Sequence, residues 1–327
     1  MFLKLLQLLA CPKCKTELSC VAEQTSNDEV ESGSLICGEC NSSYRIERGI
    51  PRFVQDENYA SSFGFQWNRF RSEQIDAING TQLSFERFYS ETGWTKEWMN
   101  RKWILDAGCG AGRFVEIASR EDCDVVGVDL SNATDAAKTT LKGRRNVHLV
   151  QASIYELPFK DWVFDGCYCI GVIQHTPDPE KSVRSLPGLL KRGGRIAITA
   201  YERRKWTLWN AKYLIRPITA RMDKRTLFLT VKGLMPVLFP VTEVTFRIPY
   251  LRKLFMHAIP VANYVDTHEL KLGQRYSWAV MDTFDMLSPA YDQPQTQDDM
   301  TMALMAEGIR DVKRLNNPGL NLVGVKS

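Results

Sequence analysis

The sequence has no long apolar run and lacks the features of an exported chain. No stretch of its 327 residues reaches the roughly 18 consecutive apolar positions that a membrane-spanning helix needs. The apolar N-terminus, residues 2–9, has neither the basic start nor the small-residue cleavage site of a signal peptide. We therefore expect no transmembrane segment and a cytoplasmic location.

The nine cysteines do not have the spacing of a disulfide framework. Four of them form two C-x-x-C pairs near the N-terminus, and the others are scattered through apolar segments. This pattern favours a reducing compartment and a metal site. Each pair can offer two thiolates to one tetrahedral Zn²⁺, and two pairs leave no open coordination position. The sequence therefore predicts a structural zinc site whose ligands are Cys11, Cys14, Cys37 and Cys40.

Residues 1–54 carry further features beside the cysteines. A leucine-rich segment precedes the knuckle Cys11-Pro12-Lys13-Cys14, and the segment ends at the turn Gly49-Ile50-Pro51. With these features residues 1–54 resemble the Trm112-like zinc-ribbon family. The resemblance implies that the ribbon accompanies a methyltransferase, since family members are separate activators or fused modules.

A glycine-rich stretch lies near the middle of the chain, at Asp106–Phe114. Its Gly-x-Gly-x-Gly spacing predicts a turn between a buried strand and a helix, where bare backbone amides approach a ligand. A dinucleotide fingerprint would need a third glycine at Arg113. Asp106 would also repel a pyrophosphate. A nicotinamide oxidoreductase is therefore disfavoured, and a ligand with an ammonium or sulfonium group is favoured.

From residue 102 onward, predicted strands and helices alternate, which is typical of a doubly wound parallel sheet. Asp129 ends the second predicted strand, where one carboxylate can accept hydrogen bonds from both hydroxyls of a ribose. In this order of motifs, residues 100–201 resemble class I S-adenosylmethionine (SAM) methyltransferases, type 11-like. The fold class predicted is α/β, a Rossmann-like doubly wound sheet with a small N-terminal zinc ribbon and a helical insertion.

The resemblance implies SAM as the cofactor and assigns residues to its site. Ser153 stands where related enzymes often carry a carboxylate for the adenine amino group. Its hydroxyl, or backbone groups at Ala152 and Ser153, would make that contact here. The predicted cofactor-binding residues are Asp106, Gly108, Gly110, Gly112, Asp129, Leu130, Ala152, Ser153, Ile170 and Gln174.

Five segments are predicted along the chain. They are the zinc ribbon (1–54), a helical connector that packs the ribbon onto the next domain and covers the cofactor (55–100), the SAM-binding core (101–201), a basic and aromatic helical lid (202–280), and a substrate loop with the last core strands (281–327).

The acceptor site is predicted near the end of the fourth core strand, because ligands bind outside the carboxyl ends of such strands. His175 follows that strand and is the candidate acid–base residue. The alternative is that His175 only shapes the loop, since methyl transfer depends mostly on positioning. Trp67 is an acceptor candidate in the connector, with a core role as its alternative. The full set of substrate candidates is Trp67, Tyr201, Asp282, Asp285 and Tyr291, the last three in a predicted loop.

The lid is strongly basic. Between residues 203 and 253 there are twelve Lys or Arg and only two acids, Asp223 and Glu243. This excess indicates an anionic partner, which could be an acidic or phosphorylated substrate, a nucleic acid or an anionic membrane surface. The alternative is a solvated outer face with no partner.

The preferred interpretation is a SAM-dependent methyltransferase that acts by in-line SN2 transfer on a small-molecule or glycan- or lipid-linked, anionic acceptor. A tRNA or rRNA methyltransferase is the alternative. The acidic segment between the two cysteine pairs disfavours it, because such a segment grips phosphate poorly. A non-catalytic binding module is a further alternative, and the intact glycine turn and Asp129 argue against it.

Overall fold

A computed structural model describes residues 1–54 and 59–327. The start of the predicted connector, residues 55–58, lies outside the described residues. One eleven-stranded sheet runs through the molecule in the order β1-β2-β3-β4-β7-β6-β5-β8-β9-β11-β10. Its first part is the ribbon, in which a short helix leads into two hairpins: α1 (Leu3–Leu6), β1 (Leu18–Ser26), β2 (Glu29–Cys37), β3 (Ser43–Glu47) and β4 (Ile50–Arg52).

The core of the sheet has the predicted doubly wound topology. Strands β5 to β9 are parallel, and β11 pairs with β9 in the antiparallel sense. Apolar, β-branched strands such as residues 124–129 are buried on both faces, as parallel strands usually are. The elements are β5 (Trp103–Ala107), α6 (Arg113–Ala118), β6 (Asp124–Asp129), α7 (Ala133–Thr140), β7 (Val147–Gln151), β8 (Phe164–Ile170), α8 (Pro179–Arg184), β9 (Leu190–Ala200), α13 (Gln297–Ala306), β10 (Ile309–Arg314) and β11 (Leu320–Lys326).

The ribbon and the core are one continuous sheet, which the sequence did not predict. Strand β4 pairs in parallel with β7 through Arg52 and Gln151. The Arg52 guanidinium donates to the Gln151 side chain at 2.6 Å and to Asp135 at 3.0 Å. Leu9 of the ribbon lies in the same hydrophobic cluster as Val126 of the core. The ribbon therefore packs directly on the core. The connector also reaches the ribbon, since Ile50 lies in one hydrophobic cluster with Phe88 and Trp94.

The connector also links the core to the lid. Phe88 and Trp94 pack with Ile104 of the core, whereas Phe70 packs with Phe228 of the lid. Its described part forms four helices, α2 (Ser61–Arg69), α3 (Asp76–Asn79), α4 (Leu83–Thr92) and α5 (Lys96–Met99).

The lid is helical, as predicted, but it extends further along the chain. Its helices are α9 (Ala211–Thr219), α10 (Lys224–Thr245), α11 (Arg252–Ala258) and α12 (Leu272–Leu287). The predicted boundary at residue 280 falls inside α12, so Asp282 and Asp285 lie on a helix rather than in a loop. The reason is the spacing of Trp278, Met281 and Phe284, which recur every three residues and are buried on one face.

Among the described residues, helix α10 is the one helix that meets the length and composition criteria for a membrane span, although the sequence predicts no transmembrane segment. It has 22 residues and a mean hydropathy of 1.5, so it is long and apolar enough to cross a membrane by length and composition. A third of its most apolar window is buried inside the fold. The buried side, which includes Leu227, Val231 and Met235, packs within the lid's own hydrophobic cluster.

Candidate active site and zinc centre

A cavity of about 870 Å³ opens at the carboxyl ends of β5, β6 and β8, between the core, α2 and the lid. This volume is near the upper end of the range of about 300–1,000 Å³ that is usual for ligand sites. Eleven of the residues predicted for cofactor or acceptor lie in its wall: Trp67, Gly108, Gly110, Asp129, Leu130, Ala152, Ile170, His175, Tyr201, Asp282 and Asp285.

The glycine turn has the tight geometry that its sequence predicts. Gly108 adopts a φ of +95°, and a Cβ there would lie 2.3 Å from the Val172 side chain. Gly110 adopts a φ of +52°, and a Cβ there would lie 3.1 Å from the indole nitrogen of Trp67. Only glycine fits both the conformation and the space. Trp67 therefore lies against the cofactor turn, which places this predicted acceptor residue at the cofactor end of the cavity.

Asp129 connects the glycine turn to the end of β6. One carboxylate oxygen accepts the Gly110 backbone N–H at 2.9 Å, and the other accepts the Ser131 N–H at 2.8 Å and its hydroxyl at 2.6 Å. Burial raises the pKa of the Asp129 carboxyl, and the hydrogen bonds from Ser131 and Gly110 oppose that rise. The carboxylate is thus fixed at the cavity wall, as a ribose-binding acid must be.

Asp106 is buried beneath the turn and does not line the cavity. Burial raises the pKa of its carboxyl well above the usual range, and the nearby Asp129 carboxyl adds to the rise. A carboxyl buried below the cavity floor is a poor direct partner for the ammonium group of a ligand. The binding role predicted for Asp106 therefore stays a prediction that this geometry does not favour.

Four further predicted residues stand outside the cavity wall. Gly112 begins α6 in the left-handed conformation and packs on Leu141. The Ser153 hydroxyl accepts the Tyr155 backbone N–H at 3.2 Å, so it is engaged in a turn. Ala152 and its neighbour Ile154 line the cavity instead, which favours the backbone alternative for adenine. The other two outside the wall are Gln174, which donates to the Gly171 carbonyl, and Tyr291.

His175 lies in a short 3₁₀ turn after β8 and is held on three sides. Its ring is 5.2 Å from that of Phe63 and 5.4 Å from that of Tyr201, between ring centroids. Its Nδ1–H donates to the Tyr291 carbonyl at 3.0 Å. Because a carbonyl oxygen can only accept, this bond assigns the hydrogen of the neutral imidazole to Nδ1 and its lone pair to Nε2. Tyr291 thus acts through its backbone.

Asp282 and Asp285 lie one turn apart on α12, and both face the cavity. Burial and the neighbouring Asp285 carboxylate raise the pKa of Asp282 to about 8, against the opposing effect of Arg113 and Arg87. The Tyr264 hydroxyl donates to Asp282. Burial also raises the pKa of Asp285, while the nearby His175 lowers it. Both carboxyls thus hold a proton more tightly than an exposed aspartate does.

The raised pKa of Asp282 predicts a pH dependence of stability. Between the ordinary value of 3.8 and about 8, the folded state keeps a proton that the unfolded state has released. The free energy of unfolding therefore falls as pH rises through this window, by roughly 1 kcal/mol per pH unit. Asp282→Asn, neutral in both states, is expected to flatten that slope in urea unfolding at pH 5, 6 and 7. Equal slopes in the variant and the wild type would contradict this, and Glu269→Gln, exposed on the same lid, is the control.

The sequence predictions do not include several residues that line the cavity. Phe63 and Gln66 share the cavity-facing side of α2 with Trp67, and their spacing of three and four residues could have indicated them. In the sequence, Arg113 is notable only because a dinucleotide-binding motif would need a glycine at its position. Its guanidinium donates to Gln74 and to Ser84, each at 2.8 Å, and it lies near Asp282. No local signal connects Arg113 with a residue so distant in sequence.

The predicted zinc ligands converge at the base of the ribbon. The four sulfur atoms of Cys11, Cys14, Cys37 and Cys40 lie within 4.8 Å of one another. The Cys11–Cys40 and Cys14–Cys37 pairs are 3.6 and 3.4 Å apart, close to the roughly 3.8 Å edge of a tetrahedron with Zn–S bonds of about 2.3 Å. A hydrogen bond from the Cys40 backbone amide, followed by one from Thr16, lowers the pKa of Cys37 to about 6. Such a thiolate-forming site suits zinc.

Loss of one ligand is expected to release the metal and destabilise the whole chain, because Cys11 and Cys37 belong to the hydrophobic cluster shared with the core. Cys37→Ser should lower the zinc content well below one ion per chain and the Tm by about 10 °C. Elemental analysis and thermal scanning measure the two effects. Cys20→Ser alters a cysteine of the same ribbon that is not one of the four clustered thiols, and this variant should retain the zinc. Full zinc content in Cys37→Ser would refute the site.

The fold, the glycine turn and the fixed acid after β6 define a class I, SAM-dependent methyltransferase domain. Comparison with known families agrees: residues 105–198 match the family described as a methyltransferase domain, and residues 3–49 match the family of Trm112p-like proteins. The chain therefore combines a methyltransferase domain with a Trm112p-like zinc ribbon, as predicted.

Curated relatives resemble part of the chain. An O-methyltransferase rstn1 of Aspergillus nomiae is 31% identical over 132 residues, 38% of this chain and 57% of the relative. A ubiquinone biosynthesis O-methyltransferase of Alkalilimnicola ehrlichii is 31% identical over 120 residues, 35% of this chain and 49% of the relative. The chain thus spans about half the length of these relatives. Among solved structures, magnesium protoporphyrin IX methyltransferase of Synechocystis PCC 6803 is 14% identical with a TM-score of 0.43, over 82% of this chain and 97% of that one.

Proposed function

We propose that the protein is a SAM-dependent O-methyltransferase whose acceptor is a small hydroxylated molecule. The observation that carries the proposal is His175, whose Nδ1–H is fixed on a backbone carbonyl while its ring lines the cavity. An imidazole held in this tautomer is suited to take a proton from a hydroxyl group. The names of the O-methyltransferase relatives support the same reaction type.

SAM, bound along the glycine turn and Asp129, supplies an electrophilic methyl group. The chain's own residues then have three tasks. Asp129 and the glycine turn, which the Asp129 carboxylate holds through the Gly110 N–H, form the cofactor end of the cavity. Phe63 and Tyr201 keep the His175 ring in place. His175 Nε2 is placed to take the proton of the acceptor's hydroxyl group, whose oxygen would then accept the methyl group that bound SAM would supply, with S-adenosylhomocysteine as the leaving group.

The character of the acceptor is the finer part of the proposal. The cavity wall combines apolar side chains, such as Ile154 and Met256, with the carboxyls of Asp282 and Asp285 and the cations Arg87 and Arg113. A largely apolar acceptor with a hydroxylated end fits this mixture. The predicted anionic character has less support, since of the twelve basic lid residues only Lys212 and Arg252 line the cavity.

The test is methyl transfer from radiolabelled SAM to a panel of phenols with and without an isoprenoid tail, with the product identified as an ether by mass spectrometry. The expected result is O-methylation of at least one phenol at a rate above the heat-treated protein. Labelling of tRNA or rRNA in place of every hydroxylated small molecule would overturn the proposal. Absence of SAM binding in calorimetry at about 100 μM, within the usual range of ligand constants, would refute the enzyme altogether.

A further inference from the structure

The lid exposes an unusual amount of apolar surface. The described part of the chain has twenty-three large hydrophobic side chains that are exposed, and fourteen of them lie between residues 206 and 256. Trp206, Trp209 and Tyr250 are among the most exposed, at 67%, 75% and 102%. Scattered exposed hydrophobic residues need no explanation, but this concentration on one segment indicates an interaction surface.

Helix α10 is apolar on both of its sides. Its inner side packs through Phe228, Val231 and Met235 into the lid cluster. Its outer side carries Val237 and Val244, both 66% exposed, in place of the polar residues that a helix on a soluble surface normally presents.

Helix α9 also exposes aliphatic side chains, while one of its basic residues is buried. Arg216, one of its two basic residues, is buried and donates to the backbone carbonyls of Met286 and Pro289, each at 2.9 Å. Leu214 and Ile218, one turn apart, are 75% and 70% exposed. The two carbonyls and the Asp292 carboxylate, 4.0 Å away, compensate the buried arginine. The two aliphatic side chains on the outer side have no such compensation in water, and they indicate that an apolar phase covers this side.

Cations surround these exposed apolar side chains. Six basic residues of the lid are exposed and have no carboxylate within 4 Å among the described residues: Arg203, Lys205, Arg221, Arg225, Lys232 and Lys253. Of the two acids in the segment, Glu243 is paired with Arg247 and Arg275, and Asp223 caps α10. The surface is therefore apolar and positively charged at once, with tryptophan and tyrosine at its exposed points.

We propose that the outer surface of the lid, residues 206–256, docks on an anionic lipid bilayer. Aliphatic side chains would enter the boundary between headgroups and acyl chains, while lysine and arginine contact lipid phosphates. Tryptophan and tyrosine favour this boundary because each combines an apolar ring with a polar group. Nucleic acid would not account for the exposed aliphatic residues of α9 and α10.

Docking in this manner also orients the cavity. Helix α11 bears Leu254, which is 62% exposed, and Met256, which is 41% exposed and also lines the cavity wall with Arg252. The mouth of the cavity therefore lies beside the docking surface. This arrangement implies that the acceptor reaches the site from the membrane, an implication that rests on the proposed function.

Cosedimentation of the full-length protein with vesicles tests the docking without any assay of methyl transfer. We expect binding to vesicles of phosphatidylcholine with phosphatidylglycerol, and at least tenfold weaker binding to phosphatidylcholine alone. The double variant Leu214→Glu/Ile218→Glu should reduce binding to the anionic vesicles by more than tenfold. Arg221→Glu/Arg225→Glu should do the same and remove most of the dependence on salt.

Two matched controls lie away from the lid. Trp162 is 66% exposed and precedes the amino end of β8, whereas the cavity lies at the carboxyl ends of the strands. Arg192 is exposed near the start of β9. Trp162→Glu and Arg192→Glu should bind vesicles as the wild type does. SAM affinity, measured on every variant, confirms an intact fold.

Three results would overturn the proposal: equal binding of the lid variants and the wild type, absence of vesicle binding by the wild type, or a stable dimer in light scattering that Leu214→Glu/Ile218→Glu dissociates. A protein that resists extraction with alkaline carbonate would also overturn peripheral docking in favour of a spanning α10. Vesicle binding without methylation of any acceptor would leave the docking surface standing and count against the proposed function alone.

Discussion

Replacing His175 by asparagine is expected to lower kcat for methyl transfer by about 100- to 1,000-fold, the usual contribution of a positioned general base. The asparagine amide nitrogen takes the place of Nδ1, so it can still donate to the Tyr291 carbonyl, which His175 Nδ1 reaches at 3.0 Å. The loop geometry is thereby retained while the Nε2 lone pair is removed. Initial rates at saturating SAM and acceptor measure the effect.

The affinity for SAM distinguishes chemistry from folding in this experiment. It should change less than threefold in His175→Asn, because the cofactor is held by the glycine turn and Asp129. Added imidazole should partly restore the rate of His175→Ala, since it can occupy the space left beside Phe63 and Tyr201. A kcat within threefold of the wild type would show that His175 only shapes the loop, the alternative that its sequence position allowed.

The sequence predicted those parts of the molecule whose signals are local. The cysteine spacing indicated the metal cluster, and the Gly-x-Gly-x-Gly turn followed by Asp129 indicated the cofactor end of the cavity, because each depends on residues close together in the chain or on strand ends that a parallel sheet must align. The doubly wound, parallel character of the core followed from the alternation of strands and helices.

Contacts that form only on folding could not be read in this way. Nothing near Arg52 indicates that it bridges the ribbon to Gln151 and Asp135. Likewise, nothing near Arg113 indicates the wall formed with Asp282. Charge counting marked the lid as basic, but only the burial of Arg216 and the exposure of Leu214 show which of its sides faces outward. Such long-range pairs depend on the packing of helices against the sheet, for which periodicity carries no information.

Asp129 is the residue on which we expect cofactor affinity to depend most. Its carboxylate accepts hydrogen bonds from Gly110 and Ser131 at the wall where the ribose is predicted to lie. A hydrogen bond to a charged group is worth about 1.5–3 kcal/mol, so loss of two bonds to ribose hydroxyls should raise the Kd for SAM more than 100-fold. Asp129→Ala is therefore expected to bind SAM at least 100-fold more weakly in calorimetry. Asp129→Asn, which keeps one acceptor oxygen, should lose about tenfold.

A cofactor analogue distinguishes two causes of weak binding in Asp129→Ala: loss of a direct contact with the ribose hydroxyls, and collapse of the glycine turn. The 2′,3′-dideoxy form of S-adenosylhomocysteine lacks both hydroxyls, so the wild type should bind it about as weakly as Asp129→Ala binds S-adenosylhomocysteine itself. Asp129→Ala should not distinguish the two ligands, because the partner that reads the hydroxyls is gone. If the variant still discriminates as strongly as the wild type, the carboxylate only supports the Gly110 amide and another group must read the ribose. The thermal midpoint of each variant, measured without ligand, reports how much of the loss comes from the turn.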